Sequence, residues 1–233
     1  MRTLVFGDIH GRLIWEDIIK KEKDIDKIVF LGDYVTTHES ISDEQQLFNF
    51  ENILTYKEDN PEKVILLRGN HDLQHLGYSW AGCSGYFNEV GKYMESIKDR
   101  FLADTQWIHI EGDIIFSHAG ISKTWFNTFV FKNIKHLNNC KPSERFAFTP
   151  NNYNDLYGDS ITQPCVWIRP VALIQDALDG YTQVVGHTPM KNIINSNSIR
   201  YEWPVIWFND CLPREYLVIK NNKFIVNKNE EFI

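Results

Sequence analysis

The chain has 233 residues, 43% of them hydrophobic, enough to bury one substantial core. A formal net charge of −7 excludes a non-specific nucleic-acid binder, and no stable nucleic-acid partner is expected. A phosphate substrate stays possible, because bound metal ions can supply the local positive charge.

In chain order, Thr3 to Phe6 reads as a short apolar strand running into Gly7-Asp8-Ile9-His10-Gly11, followed by a helix from Leu13 to Lys21. Ile28 to Leu31 is a buried strand ending in Gly32-Asp33. Ser42-Asp43-Glu44 caps a second helix, with Leu47, Phe50, Ile53 and Leu54 on its inner stripe. Val64 to Leu67 is a third buried strand, ending in Arg68-Gly69-Asn70-His71-Asp72. A helix over 88–103 leads to paired strands at 105–110 and 113–117, which end in Ser117-His118-Ala119-Gly120.

The stretch at about 121–164, rich in Asn, Phe and Tyr and broken by Pro142, Pro150 and Pro164, is expected to be an irregular or helical excursion. Pro170 opens a helix to Leu178. Gln183 to Val185 is a strand ending in Gly186-His187-Thr188. Strands at 192–200, 205–208, 216–220 and 223–226 are expected to form a second, antiparallel sheet, with Asn221-Asn222 as a tight turn. The alternation of strands and helices points to one α/β domain over 1–233, two sheets packed together and flanked by helices.

No apolar run reaches membrane-spanning length, and the opening residues are too soon interrupted by charge for a signal segment, so no membrane association is expected. Cys83, Cys140, Cys165 and Cys211 contain no C-x-x-C pair, so free thiols and a cytoplasmic location are expected.

Five strands thus end in glycine- or serine-flanked turns bearing Asp8 and His10, Asp33, Asn70 and His71, His118, and His187. Carboxylate, amide and imidazole donors suit borderline divalent ions such as manganese, iron or zinc. A turn Asp or a strand-end His alone is most simply structural; the joint pattern is what points to a metal site.

These motifs, in this order, resemble those of the calcineurin-like metallophosphoesterases, within them the phosphoprotein-phosphatase branch and the symmetric diadenosine-tetraphosphate hydrolases. The matches span residues 7 to 189. The resemblance implies a sandwich of two mixed β-sheets flanked by helices and a site for two divalent metals, manganese first. Asp8, His10 and Asp33 would hold one ion and Asp33, Asn70, His118 and His187 the other, with Asp33 bridging. It further implies His71 as general acid or stabiliser of the leaving oxygen, Arg169 of Trp167-Ile168-Arg169 as a phosphate clamp, and in-line attack by a metal-activated hydroxide.

One motif departs from the family. Gly32-Asp33-Tyr34-Val35 continues as Thr36-Thr37-His38 where the branch has Asp-Arg-Gly. That removes the aspartate that would orient His71 and a second phosphate clamp; His38, Glu39 or Asp72 are the candidates to orient His71. His75 and His109 match no motif and are read first as structural; for His75, close after the Asn70-His71 turn, support of the site or a substrate contact is the second reading. Tyr78, Trp80, Tyr86 and Phe87 are read first as core and second as a pocket wall.

The expected function is a phosphomonoesterase like the serine/threonine phosphatases, acting on a phosphoprotein, nucleotide or small phosphoester. The alternatives are a nucleotide hydrolase or phosphodiesterase and a non-catalytic phosphate-binding scaffold.

Overall fold

Two strands with apolar residues on both faces, β1 (Arg2–Phe6) and β10 (Glu215–Lys220), lie side by side at the centre of the protein. The computed structural model describes residues 1–130, 133–148, 158–198 and 205–230. The first sheet adds β2 (Lys27–Phe30), β3 (Val64–Leu67), β4 (Thr105–Gln106) and β11 (Lys223–Lys228), in the order β11-β10-β1-β2-β3-β4. The second contains β5 (Ile108–Glu111), β6 (Ile114–Ser117), β7 (Thr182–Val185), β8 (Ile194–Asn195) and β9 (Ile206–Phe208), ordered β5-β6-β7-β9-β8. Both sheets are mixed. β1, β2 and β3 run parallel in one, and β6, β7 and β9 run parallel in the other.

The side-chain period of two sorts the core. Val5, Val29, Leu67, Leu217 and Ile219 of the first sheet meet Ile114, Phe116 and Val184 of the second, forming the seam between the sheets. The alternate residues Leu4, Phe6, Ile28, Phe30, Val64 and Leu66 face the helix layer of α1 (Ile14–Lys21), α2 (Asp43–Asp59) and α4 (Asn88–Ser96). On the outer face of the second sheet, α7 (Pro170–Asp176) sets Ala172 and Leu173 against Val185, Ile206 and Phe208. Each fully buried aliphatic side chain of these layers contributes about 1.5–3 kcal/mol. Among the described residues, no helix is long and apolar enough to cross a membrane.

Several expectations hold closely. Ser42 caps α2 by accepting from the Gln45 N–H, and Asn221 and Asn222 both take left-handed conformations (φ 50° and 61°) in the β10–β11 turn. The helix expected over 88–103 is two, α4 and α5 (Lys98–Asp104), and the Ser96 hydroxyl at the break donates to the Tyr93 carbonyl in competition with the helix ladder.

The strand expected at 105–110 also divides, with β4 joining the first sheet and β5 the second. Arg68 holds Thr105 beside β3 through its side-chain oxygen (3.0 Å) and carbonyl (2.7 Å), and the chain crosses between sheets at buried Trp107.

The tail does not form a separate antiparallel sheet. β10 and β11 extend the first sheet beside β1, while β9 pairs parallel to β7. The reason is visible in β10: Leu217 and Ile219 face the seam while Tyr216 and Val218 face the helices, the pattern of an interior strand. Of the strand expected at 192–200, residues 194–195 are strand, 196–198 form a 3₁₀ turn, and 199–200 lie outside the described residues.

Within the excursion at 121–164, α6 (Lys123–Phe126) and two 3₁₀ turns at 134–139 and 144–146 cover the edge of the core; 131–132 and 149–157, with Pro150, lie outside the described residues.

Candidate metal centre

In both sheets the parallel strands deliver their carboxyl ends to one edge, the position where open α/β sheets build sites. The loops there are cross-tied by the backbone: the N–H groups of Ile9 and His10 donate to the Asp33 carbonyl (3.1 and 2.7 Å), and that of Gly186 donates to the His118 carbonyl (2.7 Å). Ties between the sheets at this edge include His187 N–H to Asp8 Oδ1 (2.9 Å) and His118 Nδ1–H to the Leu31 carbonyl (2.8 Å).

The result is a convergence of the expected ligand set. Ligand atoms of Asp8, His10 and Asp33 lie within 4.8 Å of one another, as do those of Asp33, His118 and His187, and Asp33 belongs to both groups. Asn70 Oδ1 is 3.0 Å from His118 Nε2, so it faces the second group. His10, Asp33 and His187 all hold left-handed backbones, with φ of 47°, 51° and 65°. Such conformations are unfavourable for non-glycine residues by roughly 1–2 kcal/mol each, and they cluster where function imposes geometry.

The donor chemistry fits divalent cations. Each of the three imidazoles places one nitrogen on a backbone carbonyl: His10 Nδ1 on Thr36, His118 Nδ1 on Leu31, and His187 Nε2 on Trp167 (3.2 Å). That N–H donates, so the opposite nitrogen presents its lone pair to the centre. The electrostatics agree. Burial and the neighbouring Asp210 push the Asp8 carboxyl well up. Burial disfavours charge on His118, yet Asp33 and Asp8 outweigh it and raise the ring to about 10. Both shifts reflect concentrated negative charge in a dry site, which divalent ions neutralise.

Glycines make the close approach possible. A Cβ built on Gly69 would fall well inside van der Waals contact of Asp33 Oδ1 and 2.5 Å from the Asp33 nitrogen; one on Gly186 would collide with Asp8 Oδ1. Gly69→Ala is therefore expected to displace the Asp33 carboxylate and reduce bound metal to less than half, read by elemental analysis. Full occupancy in that variant would show that the contact is not needed.

His71 stands in the first turn of α3 (Asn70–His75), its N–H donating to Asp33 Oδ1 (2.9 Å) and its ring edge-on to His10 at 5.4 Å. Burial pushes its pKa down, partly countered by Asp33. Arg169, at the start of α7, donates from Nη1 to the His187 carbonyl (3.2 Å) and to Thr188 Oγ1 (3.1 Å). Both line a cavity of about 460 Å³ with Asp8, His10, Asp33 and Asn70.

None of the candidates named to orient His71 does so. Asp72 spends both carboxylate oxygens on backbone N–H groups of Gly69, Asp33 and Tyr34, Glu39 pairs with Arg12 (2.7 Å), and His38 Nε2 faces Ser84 (3.4 Å). The ring nitrogen of His71 meets Cys83 instead.

His75 takes the second of its two readings: its Nε2 bonds Thr36 Oγ1 (2.6 Å), and Thr36, held at φ 71° with its N–H on Gln46, aims its carbonyl at His10. His109 pairs with Glu111 in β5, as a structural residue does. Tyr78, Trp80 and Phe87 pack on the core and Tyr86 stacks on His75, whereas Phe148 and Trp167 form the aromatic wall of the cavity.

Beyond Cys83 and Phe148, Asp210 and Arg12 are further residues at the site that the sequence motifs do not disclose. Asp210 follows β9 and is buried, and its pKa is raised by that burial despite nearby His10 and Arg12. Arg12 reaches the cavity wall directly after the first glycine turn. The Asn209-Asp210 pair after an apolar strand was the available signal.

The comparisons agree with this architecture. A family described as calcineurin-like phosphoesterase matches residues 1–210. The chain is 27% identical over 187 residues to the serine/threonine-protein phosphatase PP2A-like PPG1 of Candida albicans, covering 74% of this chain and 38% of that one. It is 30% identical over 132 residues to the serine/threonine-protein phosphatase 4 catalytic subunit of Eremothecium gossypii, covering 51% and 38%. The chain thus spans less than two fifths of the length of these curated relatives.

Among solved structures, a Saccharomyces cerevisiae protein serine/threonine phosphatase with similarity to human PP5 superposes with a TM-score of 0.64 at 13% identity, covering 99% of this chain and 80% of that one. A cold-active protein tyrosine phosphatase gives 0.62 at 17%, covering 97% and 76%. These likenesses concern the fold. With a family match over nine tenths of its length and all five turns meeting at one edge of two mixed sheets, the chain belongs to the calcineurin-like phosphoesterase family.

Proposed function

We propose that the protein is a metal-dependent phosphomonoesterase that acts in the manner of a serine/threonine phosphatase. The observation that carries this reading is the pair of ligand groups sharing Asp33. Asp8, His10 and Asp33 would hold one divalent ion, and Asp33, Asn70, His118 and His187 a second. Manganese is the first choice, with iron or zinc as alternatives, since the mixed oxygen and nitrogen donors accept all three. When bound, two such ions polarise phosphoryl oxygens and lower the pKa of water toward neutrality.

The protein's own groups do the rest. The carbonyls of Thr36, Leu31 and Trp167 hold the three imidazoles in the tautomer that keeps a lone pair on the centre. Arg169, anchored on the strand-end loop that carries His187, offers charge-assisted hydrogen bonds to the non-bridging phosphoryl oxygens. His71, on the cavity wall beside Asp33, delivers a proton to the leaving oxygen. The named relatives support a phosphorylated protein as substrate, and four free thiols fit a reducing compartment such as the cytoplasm.

A nucleotide hydrolase is the second reading. It is favoured by the Phe148 and Trp167 wall, which offers a base or aromatic leaving group a stacking surface.

The deciding experiment strips the protein with EDTA, reloads it with manganese, and assays phosphopeptides, para-nitrophenyl phosphate, its bis ester, mononucleotides and dinucleoside tetraphosphates. Turnover of phosphopeptides and the monoester above the diesters is expected; turnover of none overturns the catalytic reading in favour of a binding scaffold. His71→Ala should lower the rate by roughly 10²-fold or more while both metals stay bound.

A further inference from the structure

Cys83 stands in the wall of the cavity, twelve residues beyond His71 on an irregular loop. Its Sγ lies 3.5 Å from His71 Nδ1 and 3.9 Å from the Asn70 carbonyl. The loop is not free to drift from the ring, because the Cys83 N–H donates to Gln74 Oε1 (2.6 Å), and Gln74 is a buried residue of α3, the helix that carries His71. The side chains that could compete for Nδ1 are engaged elsewhere: Asp72 by three backbone N–H groups, Glu39 by Arg12, and Thr36 by His75.

We infer that Cys83 is the positioning residue of His71, its thiol holding Nδ1 so that Nε2 carries the hydrogen presented to the leaving oxygen. This rests on the reading of His71 given above. A thiol serves both protonation states of the ring. In the neutral ring S–H donates to Nδ1, which puts the ring proton on Nε2; in the protonated ring Nδ1–H donates to the sulfur lone pair instead. The reacting form is the protonated ring: as the phosphorus–oxygen bond breaks, the leaving oxygen keeps the bonding pair and takes the Nε2 proton, and the ring is left neutral with its hydrogen on Nδ1, still donated to the sulfur. A carboxylate at this place would bind the imidazolium more strongly; a thiol orients the ring with little charge stabilisation, in keeping with its weak donor and acceptor strength.

The test uses Cys83→Ala and Cys83→Ser in the metal-loaded enzyme with two substrates, para-nitrophenyl phosphate, whose leaving group needs no proton, and an alkyl phosphate, whose leaving group does. Cys83→Ala is expected to lower kcat on the alkyl phosphate about fivefold, the worth of one modest hydrogen bond, with KM and metal content unchanged and the aryl substrate within about twofold. Cys83→Ser should recover most of the loss, since a hydroxyl also donates to Nδ1.

An independent readout is the nitrogen-15 spectrum of the zinc-loaded protein, where the His71 ring should pass from one tautomer to a mixture in Cys83→Ala. Equal losses on both substrates, a serine variant no better than alanine, or an unchanged ring spectrum would each overturn the inference. If the ring spectrum changes but His71→Ala shows no dependence on the leaving group, Cys83 does position the ring and the acid role assigned to His71 is what falls.

Discussion

Asp33→Ala is expected to abolish binding of at least one metal ion, weaken the other, and lower turnover on the order of 10³-fold or more. No other residue belongs to both ligand groups among the described residues. Its carboxylate also accepts the His71 N–H, and its carbonyl accepts the N–H groups of Ile9 and His10, so one residue ties three of the loops. Burial works against its ionisation, but the imidazoles of His118, His71 and His10 override that and hold the carboxyl well below the ordinary range.

Asp33→Asn separates charge from conformation. Asparagine tolerates the left-handed backbone at φ 51° and keeps one acceptor oxygen, so the fold should persist while metal affinity falls. Elemental analysis and steady-state rates on both variants check this; two ions bound at wild-type activity would refute the bridging assignment.

The second large effect concerns folding. Asp72 is fully buried, its Oδ2 accepting from Gly69 (2.8 Å) and Asp33 (3.0 Å) and its Oδ1 from Tyr34 (2.9 Å). Burial, with Asp33 nearby, raises its pKa to about 7 even so. Asp72→Ala leaves three interior N–H groups without acceptors, each penalised by about 1–3 kcal/mol, and should destabilise the protein by roughly 3–5 kcal/mol. Asp72→Asn should lose less, about 2 kcal/mol, because only one of its two terminal atoms opposes a donor. Urea unfolding of EDTA-treated protein isolates the effect from metal binding. A loss below about 1 kcal/mol for alanine would mean that the turn finds other acceptors.

What could be read from the sequence was what the backbone writes locally. A buried strand ending in glycine and a metal-binding side chain is a short-range pattern, and it disclosed Asp8, His10, Asp33, Asn70, His118 and His187, which the fold brings to one edge. The helix caps and the Asn221-Asn222 turn were legible for the same reason. The partner of His71 was not, because Cys83 arrives through an irregular loop whose path is set by one side-chain bond to Gln74. Asp210 is not legible in the sequence, because nothing local in Ile206–Phe208 says that this strand pairs parallel to β7. The role of Asp72 was likewise hidden, since its three donors sit in two different loops.

The place of β1 has a consequence for biogenesis. It is bordered by β2 on one side and by β10 on the other, and β10 lies about 215 residues later, so at ribosomal speeds of about 5–20 residues per second β1 waits roughly 10–40 s for its second neighbour. During that interval Asp8 and His10 follow a half-paired strand, while the loop bearing His118 emerges about midway and the loop bearing His187 toward the end. Asp8 and His10 thus follow a strand that gains its second neighbour late, in a pairing of high contact order, the kind that forms slowly.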